Sequence, residues 1–184
     1  MILRSFCALA LLFLSTSALA QLRFSISPIV GYEDIQKVLP YQHRTTRLFY
    51  GARVTAGFLM LSGEGEYTRA NDTEVFSSPA ETMTEQADKL KLGLRSTLSL
   101  SSMVYLSIRG GGQATQTMRD TTIGGVTTRT WDPIIWLPYG GAGFRFQLSP
   151  KIFATAEMVV VWTNFPDMNS AEYQPTAGFQ IALP

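Results

Sequence analysis

The sequence is poor in charge, in histidine and in cysteine. Charged residues make up 16% of its 184 residues, whereas soluble domains carry about 25%. The 15 Lys and Arg residues nearly balance 14 Asp and Glu residues, for a formal charge of +1, so a polybasic protein is excluded and no nucleic-acid partner is expected. With one cysteine, one histidine and no glycine-rich phosphate loop, neither a cofactor nor a metal site is expected.

Long apolar runs are also missing. No run after Gln21 approaches the 18 consecutive apolar residues of a helical membrane span. Residues 1–20 carry Arg4, a short apolar run and small residues at their end, which is typical of a cleaved signal peptide. We therefore expect 21–184 to form a single exported domain without a disulfide, because Cys7 leaves with the signal peptide.

What the sequence does contain is strict alternation of apolar and polar residues. A period of two over such lengths predicts strands with one apolar face. Several segments reach the roughly 9–11 residues that a tilted strand needs to cross a bilayer. The eight segments are 22–32, 49–58, 59–68, 89–95, 104–111, 134–147, 152–162 and 173–183.

The connections between these segments also alternate, between short and long. Tight turns are expected near 58–60, 99–102 and 149–151, and long polar loops over 33–46, 69–86, 113–131 and 163–172. Short turns at one end and long loops at the other are typical of outer-membrane barrels. The sequence predicts an all-β protein, a closed eight-stranded antiparallel up-and-down transmembrane β-barrel in the bacterial outer membrane, with its long loops outside the cell.

The apolar face is predicted to point outward, toward lipid. Its tyrosines and tryptophans fall at the loop ends of the strands, where amphipathic rings meet lipid headgroups. This girdle comprises Tyr32, Tyr50, Tyr67, Trp136, Trp162 and Tyr173. Because soluble barrels alternate as well, a periplasmic ligand-binding barrel with an apolar cup is an alternative.

The polar face then lines a lumen that side chains fill, too narrow for a porin-like channel. Buried charges need partners, so we expect an ion-pair network of Arg53, Glu64, Glu66, Lys89, Lys91, Arg95, Arg109, Arg145 and Glu157. With Arg23 this face carries seven basic and three acidic residues. Water or an anion could compensate the excess positive charge of this face.

The hairpin over 139–157, in particular Tyr139–Pro150 followed by Lys151–Glu157, resembles the strand six to seven hairpin of small outer-membrane barrels of the OmpA-transmembrane and OmpX type. The resemblance covers the pattern of 21–184. It implies a non-catalytic protein with an envelope-structural or surface-interaction role, such as adhesion, carried by the long loops. The expected partners are outer-membrane lipid, lipopolysaccharide and another cell surface or protein.

Two further hypotheses concern the loops. Arg44 and Arg47 form a basic pair that could bind lipid phosphates. His43 lies in the same predicted loop, and some barrels of this size are lipid A-modifying enzymes with a loop histidine. Such an enzyme would need His43 to meet Asp72, or Ser77 or Ser78, in the second loop.

Overall fold

The computed structural model describes residues 22–37, 41–58, 60–77, 80–164 and 171–183; the predicted signal peptide at 1–20 lies outside them. The described residues form nine β-strands. The strands are β1 (Arg23–Lys37), β2 (His43–Gly57), β3 (Leu61–Ser77), β4 (Ala80–Ser99), β5 (Val104–Ile123), β6 (Val126–Trp131), β7 (Ile135–Ser149), β8 (Ile152–Trp162) and β9 (Ala171–Ala182). No helix in the described ranges is long and apolar enough to cross a membrane.

Eight of these strands close into a barrel. Each pairs antiparallel with its neighbours, β5 pairs with both β4 and β7, and β9 returns to β1. The short strand β6 pairs with the far half of β5 and lies outside the barrel wall. The predicted closed, eight-stranded, antiparallel fold is confirmed.

The register fixes the tilt of the strands. A line followed across the paired residues from Phe24 of β1 passes once around the barrel and returns to β1 at Asp34, ten residues further along. With eight strands, ~3.3 Å per residue and ~4.8 Å between strands, this stagger gives a tilt of about 41°. At that geometry the interior is just wide enough for side chains to fill.

The two faces of the barrel have the polarity expected from the alternation. On β4, the side chain of Leu92 is 50% exposed on the outside, whereas Lys91 beside it is 1% exposed in the lumen. Buried residues are mainly charged, amide or hydroxyl side chains, and the exposed ones include most of the large apolar side chains. An apolar cup, as the soluble alternative requires, is not what the described lumen contains.

The strands run well beyond the predicted boundaries, and the long-loop prediction is wrong for much of 33–46, 69–86 and 113–131. Strands β3 and β4 stay paired up to Ser77 and Ala80, and β5 and β6 up to Ile123 and Val126. These extensions are rich in threonine, a β-branched residue that favours strands. They lack alternating apolar residues, which is why their strand character escaped the periodicity.

The β5–β6 connection is a two-residue turn. Gly124 and Gly125 have φ values of 58° and 84°, the left-handed conformation that a type I′ hairpin requires at both positions. One end of the barrel is the turn end, which includes the short connections at 100–103 and 150–151 and the adjoining ends of β2 and β3. The other is the extension end, where the strands project as hairpins.

Candidate functional site in the lumen

The middle of the lumen holds a buried cluster of opposite charges. Glu66 accepts from Lys91 Nζ at 2.6 Å, from Arg53 Nε at 2.8 Å and from Arg109 Nη1 at 2.8 Å. Glu157 lies on the other side, 2.9 Å from Arg53 Nη1 and 3.1 Å from Arg109 Nη1. Two carboxylates are thus shared among three cations, and each cation lies on a different strand.

Glu64 and Arg95 complete this central cluster. Arg109 Nε lies 2.7 Å from Glu64 Oε1, and the Tyr139 hydroxyl donates to the same oxygen at 2.7 Å. Arg95 bonds Glu157. Gly93 makes room for the phenol, because a Cβ there would lie 2.3 Å from the Tyr139 hydroxyl oxygen. The central cluster is therefore seven charged residues: Arg53, Glu64, Glu66, Lys91, Arg95, Arg109 and Glu157.

A second cluster lies toward the extension end. Glu33, completely buried, accepts from Arg47 Nε at 2.5 Å and from Lys89 Nζ at 2.6 Å. Lys89 also reaches Glu172 at 3.4 Å. Arg47 is therefore inside the barrel and is not available to a lipid phosphate, contrary to the sequence hypothesis.

This extension-end cluster continues through Glu85. Its carboxylate lies 2.7 Å from Arg119 Nε and 3.1 Å from Lys37 Nζ. Lys37 also bonds Asp72 at 2.7 Å and Glu74 at 3.1 Å. Beside these groups lies a cavity of about 180 Å³.

Lys89 was predicted to lie in the lumen, whereas the other residues of this cluster were predicted to lie in loops. Glu33 and Lys37 continue the inward face of β1 in steps of two from Ser25, and Arg47 continues that of β2 from Arg53. Counting in steps of two along each strand would have placed these side chains in the lumen. The additional acids offset the basic excess at the extension end, so the excess of the seven predicted basic residues does not extend through the lumen.

Arg145 lies apart from both clusters, at the turn end. Its Nη1 donates to Gln180 Oε1 at 2.9 Å. The nearest described carboxylate partners belong to the central cluster, and none of them is within ion-pair distance of Arg145. The predicted lumen network thus divides into two paired clusters and one arginine outside them.

The girdle residues lie on the outer face near the start of the extensions. Tyr32, Tyr50, Tyr67 and Trp136 are exposed, whereas Trp162 and Tyr173 are half-buried. The Tyr67 hydroxyl donates to Asp88 at 2.6 Å, and Asp88 also accepts from Arg69 Nε at 2.7 Å. On the same face exposed Arg44 bonds Asp34 at 2.7 Å.

The histidine sits at the rim of the extension end. The His43 ring lies 5.1 Å from that of Tyr41 and 6.2 Å from that of Phe76. Its Nδ1 lies 2.9 Å from the Tyr41 carbonyl oxygen, and its Nε2 lies 3.2 Å from the Glu74 carboxylate. These two acceptors favour the doubly protonated ring, and they raise the pKa of His43 above its ordinary value of 6.5.

The described groups around His43 include no nucleophile. Asp72 is bonded to Lys37 instead, Ser77 alternates with the inward Phe76 and is exposed on the opposite face of β3, and Ser78 lies outside the described residues. A charged imidazolium is also a poor general base. Nor does any group of three histidine, cysteine, aspartate or glutamate residues in the described ranges form a metal site.

Solved structures with the same fold are outer-membrane barrels. Neisserial surface protein A has a TM-score of 0.63 at 9% identity, over 86% of this chain and 96% of that one. Ail of Yersinia pestis, solved with the heparin analogue sucrose octasulfate, has a TM-score of 0.56 at 13% identity, over 87% and 99%. The N-terminal β-barrel domain of Pseudomonas aeruginosa OprF has a TM-score of 0.53 at 11% identity, over 86% and 97%.

No protein-family model matches the sequence, and no curated protein matches it. At these identities the structural likeness shows the fold. The chain folds as the small eight-stranded outer-membrane barrels do, as the alternation and the 139–157 hairpin predicted.

Neutralising Glu66 is expected to destabilise the barrel strongly. In Glu66→Gln, three buried cations share one carboxylate fewer, and removing one member of a buried ion pair costs about 3–5 kcal/mol. The exposed Asp120–Arg129 pair, at 2.7 Å, provides the control, because exposed ion pairs contribute little and Asp120→Asn should leave the stability nearly unchanged. Urea unfolding in lipid vesicles, followed by tryptophan fluorescence, measures both. Equal losses in the two variants would contradict a stabilising role for the central cluster.

The pKa of His43 is expected to fall when Glu74 is neutralised. In Glu74→Gln the Tyr41 carbonyl remains, so the pKa should drop only part of the way toward 6.5. Because the folded pKa is raised, the stabilising contact is complete below the unfolded pKa and is lost as pH rises through the folded pKa. NMR titration of the ring measures this, with Asp120→Asn as control. An unchanged pKa in Glu74→Gln would refute the contact.

Proposed function

We propose that this chain is a non-catalytic integral protein of the bacterial outer membrane, formed by residues 21–184 after signal removal, and that its extensions make contacts with proteins of other cells. The assignment to a membrane rests on one observation. Large apolar side chains cover the outside of the closed sheet while ion-paired charges fill the inside, an arrangement that only a surrounding apolar solvent stabilises.

The lumen supports a structural role for the charges it contains. The three carboxylates of the central cluster are all bonded to cations or to a phenol, and a buried ion-pair cluster that links facing strands supports a structural role for these charges. Support for a non-catalytic protein comes from His43, which has carboxylate and carbonyl neighbours rather than a serine.

The far end of the β5–β6 hairpin is the best candidate for a contact surface. Ile123 is 54% exposed and Val126 is 70% exposed at its tip, and Val75 is exposed on the neighbouring β3–β4 hairpin. Apolar side chains on a short, regular hairpin offer area at low entropic cost, as protein-binding surfaces do. We call Ile123–Val126 the hairpin tip.

A polyanion is the less favoured partner. The exposed arginines of the extensions each bond an aspartate: Arg44 bonds Asp34, Arg69 bonds Asp88 and Arg129 bonds Asp120. The Ail structure contains a heparin analogue, but here the described extensions offer no unpaired arginine to a sulfated glycan. At the membrane, a lipopolysaccharide phosphate would have to displace Asp34 from Arg44 or Asp88 from Arg69.

The proposed contact surface is tested by a double variant, Ile123→Ser with Val126→Ser. We expect adherence of bacteria displaying the barrel to cultured epithelial cells to fall at least tenfold, because the apolar area of the hairpin tip is lost. The matched control is Leu100→Ser with Met103→Ser, which changes two side chains that are 58% and 60% exposed at the turn end.

Heat-modifiable migration in outer-membrane extracts is expected for both variants and shows that they fold and insert. Unchanged adherence of the tip variant would contradict the proposed surface. If soluble heparin abolishes adherence of the wild type and the tip variant still adheres, the partner is a glycan instead.

A further inference from the structure

The turn end of the lumen contains a small cavity with positive charge and no described carboxylate. Its volume is about 80 Å³, and residues of β1, β2, β3, β4, β7, β8 and β9 line it. The polar lining includes Arg23, Ser25, Thr55, Arg145 and Gln180. The cavity at the extension end differs, because its four cations, Lys37, Arg47, Lys89 and Arg119, are each bonded to a carboxylate.

Two aromatic rings and one glutamine contact Arg145 in this cavity. Its guanidinium carbon lies 5.2 Å from the centre of the Tyr105 ring and 5.0 Å from that of Phe153. Its Nη1 donates to Gln180 Oε1 at 2.9 Å, while its Nε is buried with no hydrogen-bond partner among the described residues. These distances are within the range of cation–π contacts, so the two rings hold the guanidinium beside the cavity.

Neutral hydrogen-bonding groups line the cavity beside Arg145. Gln180 Nε2 donates to Ser25 Oγ at 2.6 Å, and Ser25 Oγ bonds Thr55 Oγ1. All three side chains are buried. Since this chain of groups contains two hydroxyls and an amide, it supplies donors without adding negative charge.

The positive charge of this cavity favours an anionic ligand. No described carboxylate lies within ion-pair distance of Arg145 or of Arg23, because the nearby Glu157 is taken by the central cluster. The buried Arg145 Nε has no acceptor among the described residues, and an anionic acceptor binds a guanidinium most strongly. A volume of 80 Å³ holds about two or three waters, or one small oxyanion.

We propose that this cavity is a binding site for a tetrahedral oxyanion of the phosphate class. Arg145 and Arg23 supply the charge, and the Gln180–Ser25–Thr55 chain supplies neutral donors. In the orientation proposed above the site opens to the periplasm. The same chemistry fits free phosphate and the headgroup phosphate of an inner-leaflet phospholipid, because Phe24 and Phe58 at the cavity mouth also lie against the lipid-facing surface.

The test follows the Arg145 Nε–H resonance by NMR, with the barrel folded in a phosphate-free, uncharged detergent. Titration with inorganic phosphate should move this resonance saturably, and chloride at matched ionic strength should not. Arg145→Gln should abolish binding, and Arg23→Gln should weaken it at least tenfold, as judged by remaining resonances of the cavity. Lys151→Gln, an exposed lysine in the adjacent turn, is the matched control and should leave affinity unchanged.

Repeating the titration in phospholipid nanodiscs distinguishes the two sources of phosphate. A shift there like that in detergent indicates free phosphate, whereas a resonance already shifted and insensitive to added phosphate indicates the headgroup. Absence of a saturable shift in detergent would overturn the proposal, as would equal weakening by Lys151→Gln and Arg23→Gln. Arg23 lies at the exposed rim, so its variant keeps the test decisive if Arg145→Gln fails to fold.

Discussion

Closure of the sheet is the constraint on which the rest of this structure depends. The pairing of β9 with β1 removes the sheet edge, so the backbone groups of the barrel wall bond to one another and an apolar solvent can surround it. A stagger of ten residues over eight strands then sets both the tilt and the narrow interior. Alternate side chains must therefore either face outward or fill the lumen.

That division explains why so many charges are buried. The inward positions of the tilted strands form the interior. Because the exterior faces lipid, the polar residues of every strand occupy these inward positions. Desolvated charges are stable only as part of paired sets, and Glu66 and Glu157 between Arg53 and Arg109 form such a set. The two ends of the lumen differ. Carboxylates surround Lys37 and Arg119, whereas Arg145 lies beside two aromatic rings with no described carboxylate within ion-pair distance.

The periodicity of apolar residues predicted the strands of the barrel wall and the face on which each side chain lies. Leu90, Leu92 and Leu94 alternate with charged or small residues, so their strand, its outward face and the inward position of Lys91 follow from the pattern. The strand extensions could not be predicted in this way, because pairs such as Thr73 opposite Thr84 contain no apolar residue that alternates with a polar one. Pairing of specific charges, as between Arg47 and Glu33, depends on the register between strands, which a single sequence does not contain.

The central claim is that the outer apolar band faces lipid, and single-cysteine spin labels test it most directly, since residues 21–184 contain no other cysteine. A label at Leu92→Cys should be accessible to oxygen dissolved in the bilayer and protected from a water-soluble nickel complex. A label at Thr82→Cys, on the outward side of the same strand within the extension, should show the opposite. Equal access of the nickel complex to both positions would contradict the account.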